Sequence, residues 1–352
     1  MKKISRLFLI ITAAALTGCS DKNTDSEPVV VSSKTADPES ITFSWQETYE
    51  NKIKEFKSSE QYTENSAFDI FDVTGEGTPE LIISADSEPT SKCLIYSYDT
   101  DSLAEIGEAG NCGTFTYCPE TNIIRDEYHG NGFVLGKILE YSNGSFSPVL
   151  SYSDNSESAS MGAEIYHEVD GINLSLTDYE KALEPYADTL SIDVGRRFTM
   201  GDSAINYGIR FSESWKAVLN SDHKKLCREK LNEKLAEIQE SGADAGFDLC
   251  DLNGDKIPEL IISDSSAPEA TCSVYYFSQG ELAAMEGTYG AHGVFSLDTE
   301  KFVFFADTET DKKYWSIANS AFSAADYKES DSIAVIGRKY NMSESGISAV
   351  FK

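Results

Sequence analysis

The sequence repeats the stretch FDIFDVTGEGTPELIIS (Phe68–Ser84) as FDLCDLNGDKIPELIIS (Phe247–Ser263), with ten identities in seventeen positions and no gap. Each stretch has two short apolar runs separated by a turn rich in Gly, Asp and Pro, which is typical of two antiparallel strands. Other blocks repeat in the same order, namely Tyr49–Ser59 with Leu231–Ser241 and Val194–Ile205 with Ile336–Ile347. Several matched blocks in one order indicate a duplicated unit.

The pattern around these blocks predicts a helix followed by many strands in each copy. Apolar residues recur at helical spacing before each turn block, at Trp45, Tyr49, Ile53 and Phe56 and again at Leu231, Leu235 and Ile238. Short runs rich in Ile, Val, Tyr and Phe follow, separated by Gly, Asn, Asp and Ser. We therefore expect an α+β fold of two duplicated units, each a predominantly antiparallel β-meander sheet with an N-terminal packing helix.

The first copy is the longer one, because the offset between matched blocks falls from 179 to 142 residues along the chain. We expect the excess of 37 residues to include a helix in LTDYEKALEPYA, opened by Thr177 as N-cap with Glu180 three positions later. The predicted first copy spans 42–213 and the second 214–352.

The N-terminus has the pattern of an exported lipoprotein. Three basic residues precede the apolar run Leu7–Leu16, which is about 15 Å long as a helix, half the thickness of a bilayer core. The string LTGC that ends at Cys19 resembles the lipobox of bacterial lipoproteins. This resemblance implies a diacylglycerol thioether on Cys19 and cleavage just before it. The predicted organisation is then a signal peptide over 1–18 and a lipidated cysteine with a disordered tether over 19–41. An ordinary secreted protein with an accidental cysteine at this place is the alternative.

The composition limits the partners. The chain has 29 Lys and Arg against 59 Asp and Glu, a net charge of −30, and nucleic-acid affinity requires clustered basic residues. We therefore expect no nucleic acid, contact with the membrane through the lipid anchor only, and an unidentified glycan or protein ligand. The expected location is the cell membrane, lipid-anchored on its extracytoplasmic side, with the Ser-, Asp- and Pro-rich segment as a tether.

The turn of the second copy carries oxygen-bearing residues at alternating positions of DLNGDKIPE. They are Asp251, Asn253, Asp255 and Glu259, with the backbone carbonyl of Ile257 as a further candidate. Carboxylate-rich, oxygen-only ligand sets suit Ca²⁺. The loop resembles the calcium loops of FG-GAP and VCBS-type repeats, which implies a structural Ca²⁺ ion and no chemistry.

The turn of the first copy departs from this pattern. The corresponding candidates are Asp72, Thr74, Glu76 and Glu80, with the carbonyl of Thr78. A hydroxyl replaces the amide and a longer Glu replaces Asp, so we expect a weaker site here. For both loops a hydrogen-bonded turn without metal is the alternative, because Asp, Asn and Gly favour turns by themselves.

The lipobox, the tether and the repeated turn blocks together resemble uncharacterised lipoproteins of the anaerobic Gram-positive type. This resemblance implies no activity. Six cysteines follow Cys19, and they permit a Cys250–Cys272 disulfide and one from Cys93 to Cys112 or Cys118, with free thiols as the alternative.

No catalytic motif stands out, since the four histidines are isolated and the chain has no GxSxG or HExxH string. Two basic doublets, Arg196 with Arg197 and Arg338 with Lys339, occupy matched positions in an acidic chain. They are either salt-bridge anchors or an anion or partner site. We expect a non-catalytic binding or surface module. The alternatives are an extracellular carboxylate-dependent hydrolase and a structural envelope spacer.

Overall fold

The structure is a computed structural model. It describes residues 44–99, 102–130, 132–156, 164–187, 191–212, 215–241, 244–307, 312–318, 321–324, 328 and 330–351. The predicted signal peptide, Cys19, the tether and the predicted boundary at 213–214 lie outside the described residues. Within the described ranges, no helix is long and apolar enough to span a bilayer.

The first copy opens with the predicted helix and a meander. Helix α1 (Trp45–Lys57) buries the predicted apolar stripe, Trp45, Tyr49, Ile53 and Phe56. The strands of the meander are β1 (Ala67–Phe71), β2 (Glu80–Ser84), β3 (Cys93–Asp99) and β4 (Ser102–Ala109). All are antiparallel neighbours, so the Gly-rich turn does join two paired strands.

The same copy then builds a second antiparallel sheet. Its strands are β5 (Phe115–Cys118), β6 (Ile123–Gly130), β7 (Phe133–Ser142), β8 (Ser145–Asp154), β9 (His167–Val169), β10 (Ile172–Leu174) and β11 (Ile192–Val194). Their order is β10-β9-β8-β7-β6-β5-β11. The chain returns to the first sheet through β12 (Phe198–Thr199), which pairs with β1, and ends this copy in α3 (Asp202–Phe211), which packs beside α1.

The excess residues of the first copy include hairpin β9–β10 and helix α2 (Leu176–Leu183), followed by a 3-10 turn at Glu184–Tyr186. The prediction that Thr177 is the N-cap of this helix is wrong. Ser175 caps the helix, because its backbone is extended, with φ −68° and ψ 155°, and its hydroxyl accepts the Asp178 N–H at 3.2 Å. Thr177 lies inside the first helical turn.

The second copy follows the same order. It comprises α4 (Trp215–Val218), α5 (Ser221–Ser241), β13 (Gly246–Cys250), β14 (Glu259–Ser263), β15 (Cys272–Ser278), β16 (Glu281–Ala284), β17 (Phe295–Asp298), β18 (Val303–Asp307), β19 (Lys312–Ala318), β20 (Ala321–Ala324), β21 (Ile333–Ile336), β22 (Tyr340–Asn341) and α6 (Glu344–Val350). Strands β16-β15-β14-β13-β22 form one sheet. The register of the turn block is the same in both copies, with Ala67 opposite Ser84 and Gly246 opposite Ser263.

The α+β class with antiparallel sheets is confirmed, and the two copies are fused in a way that the sequence did not predict. Strand β21 of the second copy pairs with β12 of the first, at Phe198 opposite Ala334. One continuous sheet results, in the order β20-β19-β18-β17-β21-β12-β1-β2-β3-β4. Each copy therefore contributes to more than one sheet, where we expected one meander per copy.

The hydrophobic cores also cross between the copies. One core contains Phe71 and Ile82 of the first copy together with Leu231 and Phe247 of the second. Another combines Tyr49, Phe68, Phe198 and Ile205 with Leu252, Ile261, Phe295 and Phe304. Because large apolar side chains from both copies share these cores, burial of apolar area stabilises the two copies together.

The six described cysteines are free thiols. Cys93 and Cys272, at matched positions, donate to the carbonyl oxygens of Gly113 and Gly293 at 3.0 and 3.1 Å. Burial raises the pKa of Cys272 to about 12. These thiols therefore act as buried structural groups, since a thiol is reactive as the thiolate.

Candidate functional site

Both turn loops close around an aspartate. The Asp72 carboxylate accepts the backbone N–H groups of Gly75 and Gly77, at 2.8 and 2.9 Å. The Asp251 carboxylate accepts the N–H groups three and five residues further on, also at 2.8 and 2.9 Å. The last of these donors has a left-handed backbone in both copies, with φ 88° at Gly77 and 74° at Lys256. The two corners thus share one backbone path.

A glutamate is buried beneath each loop. Glu80 accepts the N–H of Val73 at 3.0 Å and the Ser97 hydroxyl at 3.1 Å. Glu259 accepts the N–H of Leu252 at 2.7 Å. Burial, reinforced by Asp72, raises the pKa of Glu80 to about 8. Burial raises the pKa of Glu259 well above its usual value too, so each loop places a carboxyl where its charge is costly.

The predicted calcium ligands fit Ca²⁺ in chemistry and do not converge in geometry. Asp251 uses both carboxylate oxygens on backbone N–H groups. The Asn253 side-chain nitrogen, and not its oxygen, lies 2.8 Å from Glu259 Oε1 and 3.1 Å from Asp255 Oδ2. Among the described residues, no three Asp, Glu, His or Cys side chains form a group that could hold a metal ion. The loops close on their own hydrogen bonds.

The other predicted ligands differ in their burial. Thr74 is buried, and its hydroxyl lies 3.3 Å from Glu80 Oε1. Glu76 and Asp255 are exposed, while Thr78 and Ile257 are partly covered. The Asp255 carboxylate accepts the N–H of Ile257 at 2.8 Å. These contacts belong to a hydrogen-bonded turn, which was the alternative interpretation of both loops.

The first member of each basic doublet anchors its own copy. Arg196 donates to the Ser84 hydroxyl at 2.9 Å and to the Asn65 carbonyl at 2.6 Å. Arg338 forms a 2.7 Å ion pair with the Asp244 carboxylate and donates to the Asp244 carbonyl at 2.8 Å. Each outer arginine therefore holds the segment before the first strand of its copy.

The second member of each doublet crosses to the other copy. Arg197 pairs with Asp248 at 2.9 Å and Lys339 pairs with Asp69 at 2.6 Å. All four side chains are at most 11% exposed. The charge of Asp248 raises the pKa of Arg197 above its usual value, although burial alone would lower it. The two pairs are reciprocal, since the matched aspartates and matched cations are exchanged between the copies.

A cavity of about 390 Å³ at this junction is lined by both doublets. Their four cationic side chains all have carboxylate, hydroxyl or carbonyl partners there. A buried cation that already has a partner gains little from an added anion. Arg197 and Lys339 are therefore positioned to fasten the two copies together, while Arg196 and Arg338 hold segments of their own copies.

A cavity of about 420 Å³ lies in the first copy alone, between the β2–β3 connection and strands β6 and β7. Three of its lining residues, Lys92, Asn111 and Asp126, are linked by hydrogen bonds, and we call them the charged triad. Asp126, 6% exposed, accepts the Lys92 ammonium at 2.9 Å and the Asn111 amide at 2.7 Å. Tyr128, Leu135 and Lys137 also line this cavity.

The second copy lacks this triad. The matched positions, read from the aligned turns and strands, carry Thr271 for Lys92, Ala291 for Asn111 and Ala306 for Asp126, and both alanines are buried in an apolar core. The same corner of the fold therefore forms without the three polar side chains.

Comparisons of the chain with protein-family models, with curated proteins and with solved structures give no match. The lipoprotein and calcium-loop resemblances remain predictions. The sequence did not single out Lys92, Asn111 or Asp126, because they lie far apart along the chain and form no motif. A position-by-position comparison of the two copies could have identified them, because the second copy has different residue types at the matched positions.

Proposed function

We propose that the chain is a non-catalytic binding module of the cell surface and that the first-copy cavity is its binding site. The observation that carries this proposal is the charged triad of Lys92, Asn111 and Asp126, which is present in one copy and replaced in the other. Burying a charged carboxyl costs free energy, and the fold offers an alternative without it. Ligand binding would explain why the first copy has the triad despite this cost.

The lining of the cavity favours binding over hydrolysis. Asp126 is the one carboxylate among the described lining residues, whereas carboxylate-dependent hydrolysis generally uses a pair. It is held by Lys92 and Asn111 on both oxygens, which fixes it as a hydrogen-bonding group. The open volume of about 420 Å³ lies in the range of small-molecule sites.

A screen of small molecules by thermal shift tests this function. Neutral sugars, acidic sugars, amino acids and short peptides are each added to the full chain. We expect at least one class to raise the melting temperature, and Asp126→Ala to abolish that rise. Absence of any shift, or turnover of the added compound, would contradict a non-catalytic binding function.

The lipid anchor is part of the same proposal. Acyl chains on Cys19 would hold the module at the outer face of the membrane, and two or three chains anchor stably where one does not. Mass spectrometry of the mature N-terminus tests it, with Cys19→Ser as the comparison. We expect an acylated Cys19 and release of the variant into the medium. An unmodified mature N-terminus upstream of Cys19 would contradict the anchor.

We further propose that Ca²⁺ stabilises the loops. The buried Glu80 and Glu259 carboxyls have raised pKa values because their charge lacks solvation, and a divalent cation would relieve that cost. Turning the Asn253 amide would direct its oxygen, in place of its nitrogen, at the centre of the loop. The ion has a structural role in this proposal and no role in chemistry.

A further inference from the structure

We propose that the cavity lined by Lys92, Asn111, Asp126, Tyr128 and Leu135 binds a neutral saccharide. This inference rests on the proposed function of the cavity as a binding site and names the class of ligand. It follows from how the sheet presents these side chains, from the mixed sign of their charges and from the apolar wall beside them.

The strand register places four of the lining side chains on one face. In the β6–β7 pair, Asp126 lies opposite Lys137 and Tyr128 lies opposite Leu135. Residues opposite one another, and residues two apart on one strand, share a face of the sheet. Further along this face, Ile124 lies in the hydrophobic core. The cavity therefore opens where a buried face emerges from the core.

The triad presents a donor and an acceptor side by side. Asp126 Oδ2 accepts Lys92 and Oδ1 accepts Asn111, so each oxygen keeps a second lone pair. The Lys92 ammonium has three N–H donors, of which Asp126 takes one. A hydroxyl group donates and accepts at once, and it can match both members of the pair. The geometry is therefore suited to a ligand rich in hydroxyl groups.

The charges inside the cavity cancel, because Lys92 and Asp126 form an ion pair with each other. An anion would meet the Asp126 carboxylate and a cation would meet the Lys92 ammonium, while Lys137 is exposed to water at the rim. A neutral polyol can hydrogen-bond to both signs without leaving either charge desolvated and unmatched. An ordinary peptide also carries hydrogen-bonding groups, but its backbone amides donate and accept at separate atoms.

An apolar wall stands beside the polar triad. Leu135 is 49% exposed, and Tyr128 is partly exposed on the same face. A sugar ring has an apolar C–H face together with its hydroxyl edge, and aromatic side chains with a polar end suit such mixed surfaces. A wall of this kind next to fixed polar groups is the usual composition of a small-ligand site.

The second copy supplies the control for this inference. The triple variant Lys92→Thr, Asn111→Ala, Asp126→Ala gives the first copy the residues found at Thr271, Ala291 and Ala306. Because the second copy folds with these residues, the variant is expected to fold. Tyr128→Ala is a second variant, which keeps the triad and removes the aromatic part of the apolar wall. Glu140→Ala, an exposed position on β7 away from the cavity, is the matched control.

The experiment uses an array of neutral glycans, acidic glycans and unmodified peptides, probed with the detergent-solubilised full chain. We expect binding to neutral glycans, a loss of at least tenfold in affinity for the triple variant and for Tyr128→Ala, and no change for Glu140→Ala. Titration calorimetry with the best neutral glycan gives the affinities.

Other outcomes would overturn the saccharide inference in distinguishable ways. Binding to peptides or acidic glycans that the triple variant abolishes would refute a neutral saccharide as the ligand and leave the cavity as a binding site. Binding to neutral glycans that the triple variant retains would place the saccharide elsewhere. No binding to any probe would count against both the saccharide and the proposed binding function.

Discussion

The two copies share one frame, and beyond the excess hairpin and helix of the first copy they differ at the β6–β7 corner. Their turn blocks have the same register, the same aspartate-centred turn and the same buried glutamate. At the β6–β7 corner the first copy has the charged triad around Asp126, and the second has Ala306 in an apolar core. The features that both copies keep are explained by folding. The charged triad is present in the first copy and replaced in the second, and we assign it to ligand binding.

The largest effect on stability is expected at the two ion pairs that join the copies. Replacing Asp69 or Asp248 by Ala leaves a buried cation, Lys339 or Arg197, without its carboxylate. We expect each variant to lower the free energy of unfolding by about 3–5 kcal/mol, measured by urea denaturation. Asp202→Ala, at a side chain that is 95% exposed, is the control, and we expect a change of at most about 0.5 kcal/mol.

Small effects of both variants would contradict this role of the ion pairs. If Asp69→Ala and Asp248→Ala both cost less than about 1 kcal/mol, the reciprocal ion pairs do not fasten the copies.

The buried glutamates make stability depend on pH. Between its usual pKa of 4.5 and its folded pKa of about 8, Glu80 holds a proton in the folded chain that the unfolded chain has lost. The free energy of unfolding therefore falls as pH rises through this window, by up to about 1.4 kcal/mol per pH unit. The raised pKa of Glu259 acts in the same direction. Chemical denaturation at a series of pH values measures the slope.

Glu80→Gln separates the contribution of the first copy. We expect it to reduce the slope, because the amide does not titrate, whereas Glu55→Gln at a 72% exposed side chain should leave it unchanged. An unchanged slope in Glu80→Gln would mean that Glu80 is ionised in the folded chain.

Calcium is expected to distinguish the two loops. The second loop has the amide of Asn253 where the first has the hydroxyl of Thr74, so we expect the second to bind more tightly. Millimolar Ca²⁺ is expected to stabilise the chain by about 1–3 kcal/mol, the range for ligand at ten to a hundred times its dissociation constant. Because the ion replaces protons on the glutamates, this gain should be larger at pH 8 than at pH 5.

Scanning calorimetry with Ca²⁺ or chelator measures the gain, and Asp255→Asn should reduce it more than Glu76→Gln. Equal melting temperatures in Ca²⁺ and in chelator at both pH values would contradict stabilisation of the loops by Ca²⁺.

The smallest effect is at the left-handed position of the turn. Gly77 has no Cβ to strain, but Lys256 adopts φ 74° with a side chain. We expect Lys256→Gly to stabilise the fold by about 0.5–1 kcal/mol and Gly77→Lys to destabilise it by a similar amount. Thermal denaturation of both variants measures this. A destabilising Lys256→Gly would show that the Lys256 side chain compensates for its backbone.

Local patterns were readable from the sequence because they depend on near neighbours. The α1 stripe from Trp45 to Phe56 and the paired strands around each turn follow from periodicity and turn residues. The pairing of β12 with β21 does not, because its residues are more than 130 positions apart and the strands are very short. The partners of Arg197 and Lys339 depend on that pairing, so the sequence left open whether they bind an anion or form salt bridges.

The most direct test is the thermal denaturation of the wild-type chain and of the triple variant Lys92→Thr, Asn111→Ala, Asp126→Ala, each with and without the neutral glycan that the wild type binds. The account predicts that both melt within a few degrees of each other without glycan and that the glycan raises the melting temperature of the wild type alone. A variant that unfolds far below the wild type, or that the glycan stabilises equally, would contradict it.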